Sequence, residues 1–548
     1  MSGMETAAYC YEKGVGKRRM YELRAEDCCE LTIPALFPET GFNYAQQLEG
    51  PYNSVGARGI NHLASKLVLS LVPPNSPFFR LVIDDKAGRQ LDADPELKMT
   101  VHEALAAIER RVSGEIEIRA LRPALTYAIK LLIATGNALI HLPDEGGLRV
   151  FSLKNYVVER DPMGNICEIV IKESISKYAL PKDAMKLLGL DVEIEDEERE
   201  PGKETYDLYT YVEKEESGKF EVHQEIEGKI IPESVGEYEA ELLPFLALRW
   251  TAISGEHYGR GLVEEMLGDL ASLEALTKAI VIGSAASSRV VGLVNPAGYT
   301  KASDLNKAEN GAFVVGNAAD VSFLQVQKGG DFRVALETVA AITRRVEASF
   351  LLNASVQRQA ERVTAEEIRL LASELEAALG GVYATLSQEL QLPLVRRMMA
   401  QLTNGREIVA IPKALKSAIR PAIITGTEAL GRMSDLERLR AWAGIIQTTL
   451  GPEAIPKFVN AEVLARTAAM ALGLDIKGLV KTREDMDAEA QQAQAAGNAA
   501  IAAKAAVGPA TGGFMDIMKS ALQQQQETGG AGMPLPPGMM PVQPPVQE

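Results

Sequence analysis

The longest helical pattern in the sequence sets the strongest limit on the fold. It runs from Thr364 to Met399 and begins with a capping box, in which Thr364 is followed three residues later by Glu367. Apolar residues then recur at helical spacing, at Ile368, Leu371, Leu375, Leu379, Val382 and Leu386. A glycine pair at 380–381 and Pro393 interrupt the pattern, so the helix is predicted to break or bend near one of them. Such a helix needs neighbours that cover its apolar side, which favours a predominantly helical fold.

A polar segment lies immediately before this helix and separates it from a predicted helix over Asp331–Leu352. Its polar residues are Gln357, Arg358, Gln359, Glu361 and Arg362. Because the segment has no apolar periodicity, the side chains of Arg358 and Arg362 are not required to pack in the core. Two interpretations are open. The arginines bind an anionic partner, or they form local salt bridges, for instance Arg362 with Glu366.

Length and composition describe a globular chain with more than one domain. The 548 residues exceed the usual size of a single core, and 46% of them are hydrophobic. The four cysteines, Cys10, Cys28, Cys29 and Cys167, form no C-x-x-C motif, so neither a disulfide framework nor a zinc site is predicted and a reducing environment is expected. The sequence contains neither a run of about 18 apolar residues nor a signal-peptide pattern, so no membrane partner is expected.

Acidic residues are concentrated in one segment. Between Asp191 and Glu241 there are 19 acidic residues and five basic ones, a difference of −14, whereas the whole chain carries −17. The rest of the chain is therefore nearly balanced and can meet an anion such as DNA. The acidic segment itself is either a solvated surface or a surface that docks basic partners.

The N-terminal part of the chain is predicted to be an α+β domain. A helix is expected over Asn53–Pro74, where apolar residues form one stripe and two prolines stop the helix, and a short strand follows over Phe78–Asp84. Further helices are predicted over 101–111 and 120–134, and strands over 136–142 and 150–158.

The later part of the chain combines a hairpin with long helices. Alternation predicts two strands in the acidic segment, joined by a turn at Glu216–Lys219. Helices are predicted over 261–288, 331–352, 434–450 and 460–472. Beyond about Glu484 the sequence is rich in Ala and Gln, and from Met533 it is rich in Pro, so this tail is predicted to be largely disordered.

No pattern in the sequence indicates an enzyme. The five histidines are scattered without metal-ligand spacing. Gly14–Arg18 imitates the end of a Walker A motif but lacks the first glycine and the Ser or Thr after Lys17. Gly259–Gly261 is a fragment of a dinucleotide-binding motif without its strand, and a helix start with permissive glycines explains it. No catalytic residue, metal or cofactor is therefore predicted.

Four long stretches resemble one protein family. They are VGARGINHLASKLVLSLVP, YGRGLVEEMLGDLASLEALTKAIV, SRVVGLVNPAG and NASVQRQAERVTAEEIRLLASELEAALGGVYATLSQELQLPLVRRMMAQL. They are similar to the portal, or head-to-tail connector, proteins of T7-like short-tailed bacteriophages. The resemblance covers roughly Tyr21 to Leu474, and its stretches are long and collinear.

The resemblance implies an α+β, predominantly helical portal fold with wing, stem, clip and crown, assembled as a ring around a central DNA channel. On this basis the wing would comprise residues 1–170 and 289–405, the latter with a tunnel loop at about 353–363 and a long helix at 364–400. The stem would comprise a possible first helix at 171–190 and a second helix at 255–288. The clip would be the acidic hairpin module at 191–250, the crown residues 406–483, and the tail residues 484–548.

The resemblance also implies a function and partners. The chain would form a ring, of twelve copies by family analogy, at one capsid vertex of the virion. Double-stranded DNA would pass through the ring without sequence specificity, packaged by a terminase and later ejected through a short tail. The other implied partners are the major capsid protein, tail tube or adaptor proteins, and an internal core or scaffolding protein, with assembly in the bacterial cytoplasm.

The same resemblance suggests two sets of site residues. The tunnel loop would place Arg358 and Arg362 in the channel, with Lys328 and Arg333 as further candidates. The clip hairpin would dock partners through Tyr206, Leu208, Thr210, Val212, Phe220, Val222 and Ile226.

Two rival functions differ in what they would require of the sequence. A packaging enzyme would need clustered carboxylates for a metal or a complete Walker A motif. An internal scaffolding or core protein of the phage head would show long uninterrupted heptads and lack the hairpin.

Overall fold

The computed structural model describes residues 6–39, 41–42, 45–74, 78–91, 95–188, 205–287, 291–324, 329–352, 365–403, 418–423 and positions 441, 442, 444, 445, 448 and 491. The chain up to Arg440 forms one compact unit, and Ala441–Glu548 forms a second. The predicted helices over 434–450 and 460–472 and the predicted tail lie outside the described residues, apart from those single positions.

Helices hold more of the described residues of the first unit than strands do. They are α1 Ala7–Glu30, α2 Val55–Leu71, α3 Asp85–Leu91, α4 Pro95–Ile118, α5 Leu121–Thr135, α6 Lys182–Leu187, α7 Leu262–Glu265, α8 Leu267–Ser287, α9 Ala302–Lys307, α10 Gly329–Ser349, α11 Ala365–Leu386 and α12 Leu392–Thr403. A π-helical segment, Ser387–Gln391, joins α11 to α12. Leu379 interrupts α11 with non-helical dihedral angles.

The strands of the described residues form four separate sheets. They are β1 Phe79–Ile83, β2 Asn137–His141, β3 Arg149–Phe151, β4 Tyr156–Arg160, β5 Ile166–Ser176, β6 Thr205–Lys214, β7 Phe220–Ile226, β8 Lys229–Ile230, β9 Gly236–Tyr238, β10 Phe245–Arg249, β11 Val291–Val294, β12 Val321–Leu324 and β13 Ile419–Ile423. The largest sheet has the order β4-β5-β6-β7-β8, and β9 also pairs with β7. The others are β10-β2-β3, β1-β13 and β11-β12.

The core lies where α2 and α5 pack on each other and α5 packs on β2. Periodicity explains this arrangement, because α2 buries one stripe of apolar residues and α5 buries most of its second half. Strand β2 is buried along nearly its whole length between β10 and β3, as expected of a central strand. Helix α1 packs on α5 and also across β4, β5 and β6.

Most of the predicted elements are confirmed. Helices α2, α5 and α10 and strands β1 and β2 lie where the sequence placed them. The hairpin β6–β7 is antiparallel, with Val212 opposite Val222. The long helix bends at Leu379, beside the glycine pair, and changes to π geometry before Pro393, so both predicted interruption points are real. The predicted strand over 150–158 is two strands, because a 3-10 turn at Leu153–Asn155 separates β3 from β4.

Three predicted segment boundaries are wrong. The helix expected within 171–190 is mostly strand β5, which pairs with β6, and only the short α6 is helical. The described residues 205–250 do not form a separate module, since β6 extends the sheet of β4 and β5 and β10 pairs with β2. Residue 406 does not separate a crown from the wing either, because β13 pairs with β1. In each case backbone pairing between distant segments overrides a boundary drawn from local composition.

Candidate functional site

Helices α8 and α10 lie antiparallel. Near one end, Arg345 of α10 donates to Asp269 of α8, with 2.6 Å between Nη2 and Oδ1. Near the other end, the Phe332 ring packs so closely on Gly283 that a Cβ there would lie 2.8 Å from the ring. The start of α8 therefore lies beside the end of α10, and the end of α8 lies beside the start of α10. We call α8, α10 and the described residues 291–324 between them the arm.

Apolar side chains of the arm helices are buried near its base and exposed further out. The buried ones are Leu270, Leu273, Ile342 and Val346, with Phe350 immediately after α10. The exposed ones are Val281, Ile282, Val334 and Leu336. Exposed apolar surface concentrated in one substructure is uncommon on a monomer and marks a contact surface. The arm therefore has its base in the core of the chain and its outer part uncovered.

Helix α8 is so apolar that other protein surface is expected to cover it. In the described part of the chain it is the one helix long and apolar enough to cross a membrane by length and composition alone, and 11% of the qualifying stretch is buried. Asp269, Glu274 and Lys278 nevertheless lie on it, and its first turns belong to the core. These charges, together with the packing of α10 along it, fit a helix covered by protein better than one surrounded by lipid.

The tip of the arm is a small folded unit. Strands β11 and β12 pair antiparallel, with Val291 opposite Leu324. The Asp320 carboxylate accepts hydrogen bonds from the backbone and the hydroxyl of Thr300, at 3.2 and 3.1 Å. Thr300 is 5% exposed, so this polar contact orders the loop after β11.

Three large apolar side chains stand out from this tip. Tyr299, Phe313 and Val315 are each more than nine-tenths exposed. Aromatic side chains of this kind are typical anchors of protein interfaces. The sequence interpretation did not identify them, although Phe313 and Val315 stand out as apolar residues within a stretch rich in Gly, Ala and Asn.

Polar contacts fix the base of the arm to the loop that precedes α2. The Glu274 carboxylate of α8 accepts hydrogen bonds from the backbone nitrogen of Tyr52, at 2.8 Å, and from the side-chain nitrogen of Asn53, at 2.9 Å. Arg58 of α2 pairs with Glu347 of α10 at 3.4 Å. Both arm helices are therefore tied to the same end of α2.

The structure places one of the four predicted channel residues. Arg333 lies exposed on α10 and pairs with Glu337 at 3.5 Å, with both side chains in solvent. Arg358, Arg362 and Lys328 lie outside the described residues. Arg358 and Arg362 belong to residues 353–364, which connect α10 to α11, so in the chain they follow the helix that returns from the arm tip.

The predicted docking residues of the hairpin are mostly core residues. Tyr206 is half-buried, and the remaining six are buried: Leu208, Thr210, Val212, Phe220, Val222 and Ile226. Strand alternation explains this, because the apolar residues used to recognise the strands are those that face the core. These six side chains pack in the interior of the chain, and docking of a partner through this hairpin stays a prediction.

The two nucleotide-like motifs have structural roles. Lys17 lies inside α1 and pairs with Glu159 of β4, so Gly14–Arg18 is helix and forms no phosphate-binding loop. Asn137 exchanges hydrogen bonds with the backbone of Gly259, at 2.8 and 2.7 Å, and thereby fixes the turn before α7 to β2. Among the described residues, no group of three or more His, Cys, Asp or Glu side chains could hold a metal ion.

Comparison with known proteins decides the family. A family model described as bacteriophage head to tail connecting protein matches residues 4–480. The chain belongs to this family. The connector fold and the head-to-tail connecting role predicted from the sequence are thereby confirmed.

Two related proteins align with most of this connecting protein. The portal protein of Escherichia phage T7 is 42% identical over 484 residues, which are 86% of this chain and 88% of that protein. The portal protein of Enterobacteria phage T3 is 41% identical over 528 residues, 92% of this chain and 96% of that protein. A chain from the neck of a native GTA particle is similar at 13% identity with a TM-score of 0.34, covering 77% of this chain and 90% of that one.

Proposed function

We propose that this chain is the subunit of a portal ring, of twelve copies by family analogy, that forms the conduit for double-stranded DNA at one vertex of a phage capsid. The uncovered arm is the observation that carries the proposal. Its exposed apolar residues need a partner, and a ring of heterologous contacts between identical copies covers every arm. The relatives named portal proteins support the same role.

We assign the stem and clip to the arm. The expected arrangement has a clip between two stem helices, and α8 and α10 flank the small β11–β12 unit in this way. On this assignment α8 and α10 are the stem, and residues 288–328 are the clip. This assignment replaces the one to 191–250, because strands β6 and β10 of that region pair with β5 and β2.

The tunnel loop and its arginines fit this assignment. Residues 353–363 follow α10 and precede the long helix α11, so one end of the loop is attached to a stem helix. Repeated around a ring, Arg358 and Arg362 would form a belt of guanidinium groups that contacts phosphates without reading bases. Arg333, exposed on α10, and Lys328 would add charge along the same stem helix and at its start.

The partners follow from the place of such a ring in a virion. The arm tip, with Tyr299 and Phe313 exposed, would meet the terminase during packaging and the tail tube or adaptor proteins afterwards. The wing and crown would contact the major capsid protein and the internal core. The chain itself is not an enzyme on this proposal, and the energy for packaging comes from the terminase after assembly in the host cytoplasm.

Negative-stain microscopy and light scattering of the purified full chain test the proposal. The expected result is a large, defined ring with a central hole. Replacing Val281 and Ile282 by Glu places charge on the uncovered part of α8 and should reduce the particle to smaller species. Met163→Glu is the matched control, because Met163 is 86% exposed on the β4–β5 turn, outside the arm.

Two results would contradict the proposal. One is a stable monomer at micromolar concentration for the unaltered chain. The other is an assembly without a hole, which would favour the alternative, an internal scaffolding or core protein of the phage head.

A further inference from the structure

The small sheet β1–β13 has one buried and one exposed face. Phe79 and Leu81 of β1 are buried, whereas Arg80 and Val82 point outward. The antiparallel register places Arg80 opposite Ala422 and Val82 opposite Arg420. Arg420 and Ala422 are also exposed, so the outer face carries two arginines on diagonal positions, about 7–8 Å apart.

Helix α4 extends this exposed face and adds to its charge. The backbone nitrogen of Leu81 donates to Glu109 Oε1 at 2.8 Å, which fixes α4 beside β1. Lys98 and His102 are exposed on α4. Partial burial lowers the pKa of His102, and the charges of Lys98 and Arg80 lower it further, as expected for cations gathered on one side of the sheet. We call Arg80, Lys98, His102 and Arg420 the cationic face.

The charge of this face contrasts with that of the chain. The whole sequence carries −17 at pH 7, so a cluster of three permanent cations does not reflect general basicity. Asp84 pairs with Arg420 at 3.6 Å, and the two side chains are 47% and 70% exposed. Such an exposed pair is weak and exchanges readily for another anion.

We propose that the cationic face binds the phosphate backbone of double-stranded DNA outside the ring channel. The choice of duplex DNA rests on the proposed portal function, whereas the binding of a polyanion rests on the face itself. Arginine forks onto phosphate oxygens without reading bases. A protein partner would need an apolar centre to the contact, and the apolar side chains on the outer sheet face are Val82 and Ala422 alone among its described positions.

The test measures binding of a covalently closed circular duplex to the assembled full-length ring. A closed circle has no free end to thread a closed ring, so the measurement reports on outer surfaces. The logarithm of the affinity is followed against the logarithm of the salt concentration, whose slope changes by about 0.9 for each phosphate contact. Arg80→Gln with Arg420→Gln should flatten the slope by about 1.8 for each subunit that contacts the duplex and weaken binding at every salt concentration.

Two variants serve as controls. Arg80→Lys with Arg420→Lys keeps the charge and should keep the slope, which a purely structural role for the arginines does not predict. Arg149→Gln removes another exposed, ion-paired arginine, located on β3, and should leave the slope unchanged.

The outcomes separate this proposal from the portal function. An unchanged slope in the double Gln variant overturns the cationic face as a DNA site. If the slope is unchanged and particle size falls in light scattering, the face instead meets an acidic surface of a second copy. If the unaltered chain forms no ring, the portal function fails, and the slope difference on the same DNA still decides whether the face binds phosphate.

Discussion

Three hydrogen bonds join Arg249 of strand β10 to Glu389 of the π-helical segment. The backbone nitrogen of Arg249 donates to Glu389 Oε2 at 2.9 Å, and its Nε and Nη2 atoms donate to Oε1 at 3.0 and 2.5 Å. The two side chains are 11% and 18% exposed. Removing one side chain of such a buried pair strongly destabilises the fold, because the other charge stays buried without a partner.

Glu389→Ala should therefore destabilise the chain by about 3–5 kcal/mol, measured as the loss of unfolding free energy in denaturant. Glu337→Ala removes the carboxylate of the exposed pair with Arg333 and should cost less than about 1 kcal/mol. Equal effects of the two substitutions would show that the Arg249 pair is solvated in solution.

The second prediction concerns pH. Hydrogen bonds from Arg260, at 2.8 and 3.2 Å, hold the pKa of the Glu256 carboxyl below its usual value. A lowered folded-state pKa gives stability that is present above the unfolded value of about 4.3 and is lost as pH falls through the lower folded value.

Glu256→Gln should accordingly lower the Tm at pH 7, and the difference from the unaltered chain should shrink below about pH 4. Glu216→Gln, on the exposed hairpin turn, should change the Tm little at neutral pH. A difference for Glu256→Gln that persists undiminished at pH 3 would exclude the ionised carboxylate as its source.

The third prediction concerns Gly136, which ends α5 with φ at 78°. A Cβ there would lie 2.5 Å from the backbone of Arg260 and Gly261. Gly136→Ala should cost about 2–5 kcal/mol, from left-handed strain and from the forced shift of the turn. Gly16→Ala is the control, since Gly16 is inside α1 with open space around it, and should stabilise by about 0.5–1 kcal/mol. If Gly136→Ala leaves the free energy of unfolding unchanged, the turn at Arg260 and Gly261 can shift without cost.

The fourth prediction concerns the arm tip. Tyr299→Ala and Phe313→Ala should leave ring assembly intact and each weaken attachment of terminase or tail proteins by about 2 kcal/mol, roughly 30-fold. Pull-down or interferometry with the purified partner measures this, with Met163→Ala as the exposed apolar control. Unchanged attachment in the double variant would remove the tip from the docking surface.

The fifth prediction concerns the tunnel arginines. Arg358→Ala with Arg362→Ala should leave rings intact and yield heads that leak DNA or fail to fill, with a flatter salt dependence of DNA binding. Arg19→Ala, at an exposed position of α1, is the matched control. Full heads with normal retention would favour the local interpretation, in which Arg362 pairs with Glu366.

Local periodicity predicted the elements, and distant pairing decided how they are grouped. The stripe of α2 and the alternation of β6 and β7 are properties of neighbouring residues, so the sequence predicted both. The pairing of β10 with β2 and of β13 with β1 depends on contacts far apart in the chain. Most of the acidic residues described between 205 and 241 are exposed on strands and turns of sheets that the rest of the unit shares, so charge density could not mark a domain.

The candidate site illustrates the same limit. Both arm helices were predicted singly, as 261–288 and 331–352, but their antiparallel packing depends on Gly283 meeting Phe332. The hairpin residues proposed for docking were chosen by their apolar alternation, and that property placed them in the core. Phe313, which we propose as a partner contact, belongs to no periodic pattern, so periodicity does not find it.

The sheet β1–β13 also carries protection against misassembly. Pro421 lies opposite Leu81, and a proline has no backbone donor to offer along the free side of β13. On the free side of β1, the donor of Leu81 is already taken by Glu109. In the proposed ring, copies of this chain would gather at high local concentration during assembly, and an open strand edge would then recruit a strand from the wrong copy. One backbone donor is missing at Pro421 on the side of β13, and the donor of Leu81 is occupied on the side of β1. This sheet is therefore a poor template for aggregation.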